Sequence, residues 1–137
     1  MSARLLVVDD NTINLKLVCD VLEYEGYAVE KAVDAEQAQD ILRHVTPDLI
    51  LMDIALPGMD GLALTRKLKA DERLKHVPVV ALTAFAMKGD DEKAIAAGCS
   101  GYITKPIDTR KLPLQVAELL RRSTGEQKGH SDEGAGH

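Results

Sequence analysis

Tryptophan is absent from this 137-residue sequence, and Phe85 is its only phenylalanine. A core without large rings has to be filled by Leu, Ile, Val, Met and Ala. Cysteine is nearly as scarce. Cys19 and Cys99 stand far apart with no CxxC spacing, which excludes a disulfide framework and suits a reducing cytoplasm. His44, His76, His130 and His137 form no HExxH pattern and have no paired cysteines beside them, so no zinc site is expected. No apolar run exceeds five residues, too short to span a bilayer or to form a signal-peptide core. Positive charge is in deficit, with 17 Lys and Arg against 22 Asp and Glu for a net −5. Nucleic acid and anionic membrane are therefore disfavoured as partners. What is present is 45% hydrophobic and 28% charged residues, the composition of one globular domain.

Short apolar runs alternate with helical patterns, without internal repeats. Residues 5–8 (LLVV), 49–52 (LILM) and 77–82 (VPVVAL) read as buried strands. Residues 28–33 form a weaker alternating strand and 101–104 (GYIT) a short fifth one. Residues 12–25 carry Ile13, Leu17, Val21 and Tyr24 at helical spacing, ahead of a stop at Gly26. Asp34 reads as the N-cap of a helix with Ala35, Ala38, Leu42 and Val45 on one face. Residues 62–73 place Leu64 and Leu68 inward and Arg66, Lys67 and Lys69 outward. A short helix over 90–97 stops at Gly98, and a last helix carries Leu112, Val116, Leu119 and Leu120 with Pro113 near its start. This alternation predicts an α/β, flavodoxin-like (βα)5 fold, a five-stranded parallel sheet in order 2-1-3-4-5 with helices on both faces. From Ser123 onward the text is polar and glycine-rich. Residues 1–122 are thus expected to form the domain and 123–137 a flexible polar tail.

The residues just beyond each apolar run are chemically distinctive. Asp9 and Asp10 come after the first strand, Asp53 after the LILM run, Thr83 after the VPVVAL run and Lys105 after the GYIT run. Ligands of open α/β sheets bind beyond the carboxyl ends of the strands, where strand order reverses. In the order 2-1-3-4-5 that point lies between the first and third strands, so the three acids should share a crevice flanked by Thr83 and Lys105. Two unit charges ~5 Å apart at an effective dielectric of ~20 repel by roughly 3 kcal/mol. Such a cluster has to take up protons or gather cations. An all-oxygen site with room for water suits Mg²⁺, and a carboxylate beside that ion can act as a nucleophile toward phosphorus. Singly, each residue has a plainer reading: an N-cap or turn aspartate, a turn hydroxyl, a solvated lysine. Their joint placement at consecutive strand ends favours a site.

Together these stretches resemble the receiver domains of two-component response regulators, of CheY-like fold. The likeness runs from about Arg4 to Arg122 and rests on VVDDN at 7–11, LILMDIALPGMDG at 49–61, PVVALTA at 78–84 and GYITKPI at 101–107. Within the family, LTAFAMKGD at 82–90 is similar to single-domain cell-division regulators of the DivK type. The resemblance implies that Asp53 is the phosphoacceptor. It implies that Asp10 and Asp53 bind Mg²⁺ directly, Asp9 largely through water, with the Ala55 carbonyl as a further ligand. Backbone groups of Ile54, Ala55 and Ala84 would bind phosphoryl oxygens, Lys105 would pair with the phosphoryl group, and the Lys105–Pro106 bond would be cis. Thr83 and Tyr102 would form the switch, acting through the 84–89 loop on the last two helices and the last strand. Read as a core residue instead, Tyr102 would be an ordinary partly buried aromatic. Ala55 and Phe85 occupy positions that govern access of water to the phosphoryl group, which predicts self-dephosphorylation over minutes or longer.

The expected function is that of a stand-alone, cytoplasmic response regulator, monomeric or weakly dimeric. It would be phosphorylated by a sensor histidine kinase or histidine phosphotransfer protein and would signal through a downstream protein, with neither nucleic acid nor membrane involved. Because only the polar tail comes after residue 122, output by protein binding is expected. The alternatives are a phosphorelay intermediate, a phosphohydrolase and an interaction module that never takes phosphate. The hydrolase would carry an acid two residues after the nucleophile, where this chain has Ala55, so a turnover enzyme is not expected.

Overall fold

Side chains point to alternate faces of a strand, and in this chain both faces are apolar. In the computed structural model, which describes residues 3–54, 61–83 and 95–132 with side chains to 122, the three central strands are consequently buried on both sides. These are β1 (Arg4–Val8), β3 (Leu49–Asp53) and β4 (Val79–Thr83). The edge strands β2 (Ala28–Ala32) and β5 (Gly101–Thr104) are only partly covered. All pairings are parallel, and the order is β2-β1-β3-β4-β5, as the alternation of elements predicts.

Two aliphatic layers sandwich the sheet. On one face Leu6, Val8, Ile50, Met52, Val79 and Ala81 meet Ala35, Ala38 and Leu42 of α2 (Ala35–Leu42) and Leu64 and Leu68 of α3 (Gly61–Lys69). On the other, Leu5, Val7, Leu49, Leu51, Val80, Leu82 and Ile103 meet α1 (Thr12–Tyr24) and the C-terminal helix (Leu112–Asp132). Covering both faces is what an all-parallel sheet requires. Among the described residues, no helix is long and apolar enough to cross a membrane.

Side-chain caps open α1 and α2, Asp34 as expected and Asn11 in addition. The Asn11 side chain accepts from the N–H groups of Ile13 and Asn14, both at 3.0 Å, and Asp34 accepts from Gln37 N–H at 2.8 Å. Gly26 and Gly98 come after their helices at φ +100° and +108°, a region that only glycine enters cheaply. The C-terminal helix begins at Leu112 with Pro113 in its first turn, where a missing N–H costs no intrahelical bond.

The structure differs from the sequence pattern in several places, the simplest being that α2 ends at Leu42 and leaves Val45 outside the helix. The stripe Ile13, Leu17, Val21, Tyr24 reveals α1 but is not its packed face: Ile13 is 79% and Tyr24 90% exposed, whereas Leu15, Val18, Cys19 and Leu22 are buried. Two apolar stripes share this helix, and the cap at Asn11 together with the short link from β1 turns the second one to the sheet. Helix α3 ends at Lys69 rather than near 73. Lys69 is half-buried, donating to the carbonyls of Lys75 at 3.2 Å and Val77 at 2.7 Å, because its stem lies over Gly98. The C-terminal helix continues through Asp132, where a flexible tail from Ser123 is expected on composition. An established helix adds one hydrogen bond per residue fixed, so it propagates through sequence that would not nucleate one. Of the helix expected over 90–97, residues 95–97 are described and are helical; the remainder lies outside the described residues.

Candidate functional site

The carboxyl ends of β1, β3, β4 and β5 open on the same side, and each delivers one part of the site. Asp9 and Asp10 come after β1, Asp53 closes β3, Thr83 closes β4, and Lys105 comes after β5. The register holds them level, with Asp53 beside Leu82 and Thr83 beside Thr104. One carboxylate oxygen from each of Asp9, Asp10 and Asp53 lies within 4.8 Å of the other two. Asp9 is fully buried and Asp53 nearly so, while Asp10 is exposed at the mouth. The acids and Lys105 expected from the sequence therefore converge.

Backbone hydrogen bonds fix this geometry. Asp9 N–H donates to Ala32 C=O at 3.0 Å, and Asp9 Oδ1 accepts from Asn11 N–H at 2.9 Å. Lys105 N–H donates to Thr83 C=O at 2.7 Å, which aims its side chain back into the crevice. The Lys105–Pro106 bond is cis, as expected. Lys105 Nζ stands 3.0 Å from Asp9 Oδ2 and 3.2 Å from Asp53 Oδ2, and its side chain is only 15% exposed.

The electrostatics reflect burial. Burial, and to a lesser degree the charge of Asp53, push the Asp9 carboxyl above the usual range; Asn11 N–H and Lys105 pull it back only partly. For Lys105 burial acts downward, but contacts with Asp9 and Asp53 overcome it and raise the ammonium above its ordinary value. One cation thus serves two acids, leaving an excess of negative charge. Asp9 Oδ2, although close to Lys105, is buried without a well-aligned hydrogen bond. Three carboxylates with one such oxygen and an open mouth fit a small hard cation. Mg²⁺–oxygen bonds of about 2.1 Å put opposite ligands ~4.2 Å apart, so the 4.8 Å cluster can be gathered with one ligand acting through water.

The remaining expected residues fall differently. Thr83 is buried beside the acids. Tyr102 is not a core aromatic: it is 45% exposed, at the outer edge of the sheet. The N–H of Ile54 donates to Leu82 C=O at 3.2 Å. In this structure that N–H is engaged by the β4 carbonyl. Ala55, Ala84 and Phe85 lie outside the described residues.

Gly61, which the sequence offers only as the last residue of the LILMDIALPGMDG motif, has a structural part that sequence reasoning missed. A Cβ there would lie 2.2 Å from the Asp53 carbonyl oxygen and 2.7 Å from Ile54 Cα. The start of α3 is thus pressed against the backbone of the central acid. Thr65 Oγ1, fully buried, donates to Gly61 C=O at 2.7 Å and holds that turn in place. The available signal was the glycine's fixed distance after Asp53 at a predicted helix start.

The chain is similar to known proteins. Residues 5–117 match the response regulator receiver domain. The chain is 49% identical over 120 residues to the polar-differentiation response regulator DivK of Brucella ovis, covering 88% of this chain and 98% of that protein. Among solved structures, the chemotaxis response regulator CheY4 of Vibrio cholerae superposes with a TM-score of 0.82 at 26% identity, covering 88% of this chain and 99% of that one. The receiver domain of sensor histidine kinase PA1611 from Pseudomonas aeruginosa, which has a magnesium ion coordinated in its active-site cleft, gives 0.78 at 34% identity over 91% and 99% of the two chains. The sheet order, the strand-end acids and these likenesses agree, and the chain belongs to the response regulator receiver domain family.

Proposed function

We propose that this chain is a phosphoryl-accepting switch in which Asp53 takes its group from the phosphohistidine of a sensor kinase or histidine phosphotransfer protein. The observation that carries this reading is the meeting of three carboxylates within 4.8 Å, with Lys105 Nζ 3.2 Å from Asp53 Oδ2. In the transfer, an Asp53 carboxylate oxygen bonds to phosphorus as the P–N bond breaks. The imidazole leaves with the bonding pair, neutral where its other nitrogen already carries a proton and otherwise taking one from solvent as it departs. Asp10 and Asp53 would hold Mg²⁺, with Asp9 acting through water, and the bound ion supplies positive charge to the phosphoryl oxygens.

Lys105 is within reach of a group on Asp53, and the buried Thr83 hydroxyl can donate to a second oxygen. That movement of Thr83 vacates space which Tyr102, half-exposed on β5, can turn to fill. Two arrangements of one pair of side chains give an equilibrium that phosphorylation biases. Output is by protein binding, through β5 and the helices flanking it, in the cytoplasm. The chain accepts rather than turns over, since Ala55 offers no acid to protonate a leaving group. With Ala55 and Phe85 flanking the site in sequence, the phosphoryl group persists for minutes or longer.

Incubation with Mg²⁺ and acetyl phosphate, read by intact mass, tests the proposal. One adduct is expected in the native chain and none in Asp53→Asn. An adduct that persists in Asp53→Asn, or that never forms, defeats it. Steady phosphate release from an ordinary monoester would favour a hydrolase instead.

A further inference from the structure

The acidic crevice lies at the carboxyl ends of the strands, and a surface of opposite sign lies at the other end. Residues 61–76 carry Arg66, Lys67, Lys69, Arg73 and Lys75 against Asp71 and Glu72, net +3 in a chain of net −5. The C-terminal ends of α2 and α3 each contribute only about half a negative charge. They cannot neutralise this excess.

Between those helix ends runs a cleft of about 160 Å³. Its floor is apolar, formed by the buried Leu42, Leu68 and Leu74. Its rim carries three cations, Arg43, Lys67 and Arg73, against one acid, Asp71, whose Oδ1 accepts from the backbone N–H of Arg73 at 2.8 Å. Lys67 Nζ donates to Gln39 Oε1 at 2.7 Å. Arg73 donates to Thr46 Oγ1 at 2.7 Å and also to Leu42 C=O. Among the described residues neither makes an ion pair. Arg43, also on the rim, is paired with Asp40 at 2.7 Å. Lys67 and Arg73 are thus held in position without an ion pair over an apolar floor, and the lining keeps a net positive charge.

We propose that this cleft docks an acidic segment of a partner protein, one that presents a single aliphatic side chain flanked by carboxylates. Size decides against a nucleotide or other drug-sized ligand, whose pockets are about 300–1,000 Å³. The cleft holds the volume of about five waters, which suits one side chain. Charge complementarity selects the acidic flanks. Because the cleft lies at the opposite end of the strands from Asp53, its occupant can bind together with a partner at the acidic crevice and does not depend on phosphorylation.

The test is titration of the uniformly ¹⁵N-labelled full chain with the blocked peptide Asp-Glu-Leu-Glu-Asp at low salt. Saturable amide shifts confined to residues 39–46 and 66–75 are expected, with affinity weakened about tenfold or more in Lys67→Glu and retained in Lys67→Arg. Replacing the peptide's leucine by serine, or its acids by lysines, should abolish the shifts. No saturation up to about 5 mM peptide overturns the proposal. So does equal affinity for Lys67→Glu or a shift map centred on the acidic crevice. Inorganic pyrophosphate binding the same residues more tightly than the peptide would make this a small-anion site, and self-association lost in Lys67→Glu would make a second copy the occupant; either result also overturns it.

Discussion

Replacing Gly61 by alanine adds one methyl group at the most crowded backbone contact near Asp53. The new carbon would stand 2.2 Å from the Asp53 carbonyl oxygen, 2.9 Å from its carbonyl carbon and 2.7 Å from Ile54 Cα. None of these is the end of a flexible side chain, so relief requires separating β3 from the start of α3 by about 1 Å or more. Thr65, anchored on the Gly61 carbonyl, resists that movement. Overpacking of this kind costs about 2–3 kcal/mol, or roughly 5–10 °C in Tm for a domain of this size. Misplacing a reacting group by ~1 Å costs about a hundredfold in rate. The assays are thermal unfolding followed by circular dichroism and the rate of adduct formation with acetyl phosphate. Gly26→Ala is the control: its Cβ meets nothing within 4 Å, but its φ of +100° is unfavourable for alanine. It should lose about 1 kcal/mol and phosphorylate normally. Unchanged melting and an unchanged adduct rate in Gly61→Ala would refute the steric reasoning.

The same geometry fixes other outcomes. Mg²⁺ at ten times its dissociation constant should stabilise the fold by about 1.4 kcal/mol, measured as a Tm increase reversed by chelator and lost in Asp10→Asn. In α1, Leu22→Ala should cost about 2–5 kcal/mol in urea unfolding, whereas Ile13→Ser and Tyr24→Ser should stay within ~0.5 kcal/mol; the reverse ranking would restore the other stripe as the packed face. Burial pushes the Cys19 thiol up to about 11, so it should resist alkylation at pH 8 unless the chain is unfolded. Because the folded chain holds that proton more tightly than the unfolded one, stability is full below pH ~9 and falls between about 9 and 11, by at most ~3 kcal/mol. Cys19→Val should remove that part of the pH dependence.

Some features were legible in the sequence because only one physical outcome was open to them. The runs LLVV, LILM and VVAL have no polar face to expose, so they had to become central strands, and β1, β3 and β4 are buried along nearly their whole length. Asp9, Asp10, Asp53 and Lys105 could be brought together on paper because the parallel topology puts every strand's carboxyl end on one side. Features settled by tertiary contact were not legible. Which of two stripes on α1 packs depends on how the chain enters the helix. The burial of Lys69 depends on Gly98, distant in sequence. The use of Ile54 N–H by Leu82 depends on β3–β4 register, and the pressure of Gly61 on Asp53 depends on how α3 sits against the end of β3.

The site's residues come from four separate strand ends, and Lys105 is the last to be made. A nascent chain that has exposed β1 and β3 already carries all three acids but lacks the ammonium that offsets them. During synthesis the acidic trio is therefore present before the ammonium that pairs with it. Translation itself thereby delays competence: a fragment that stops short of β5 cannot assemble the complete set.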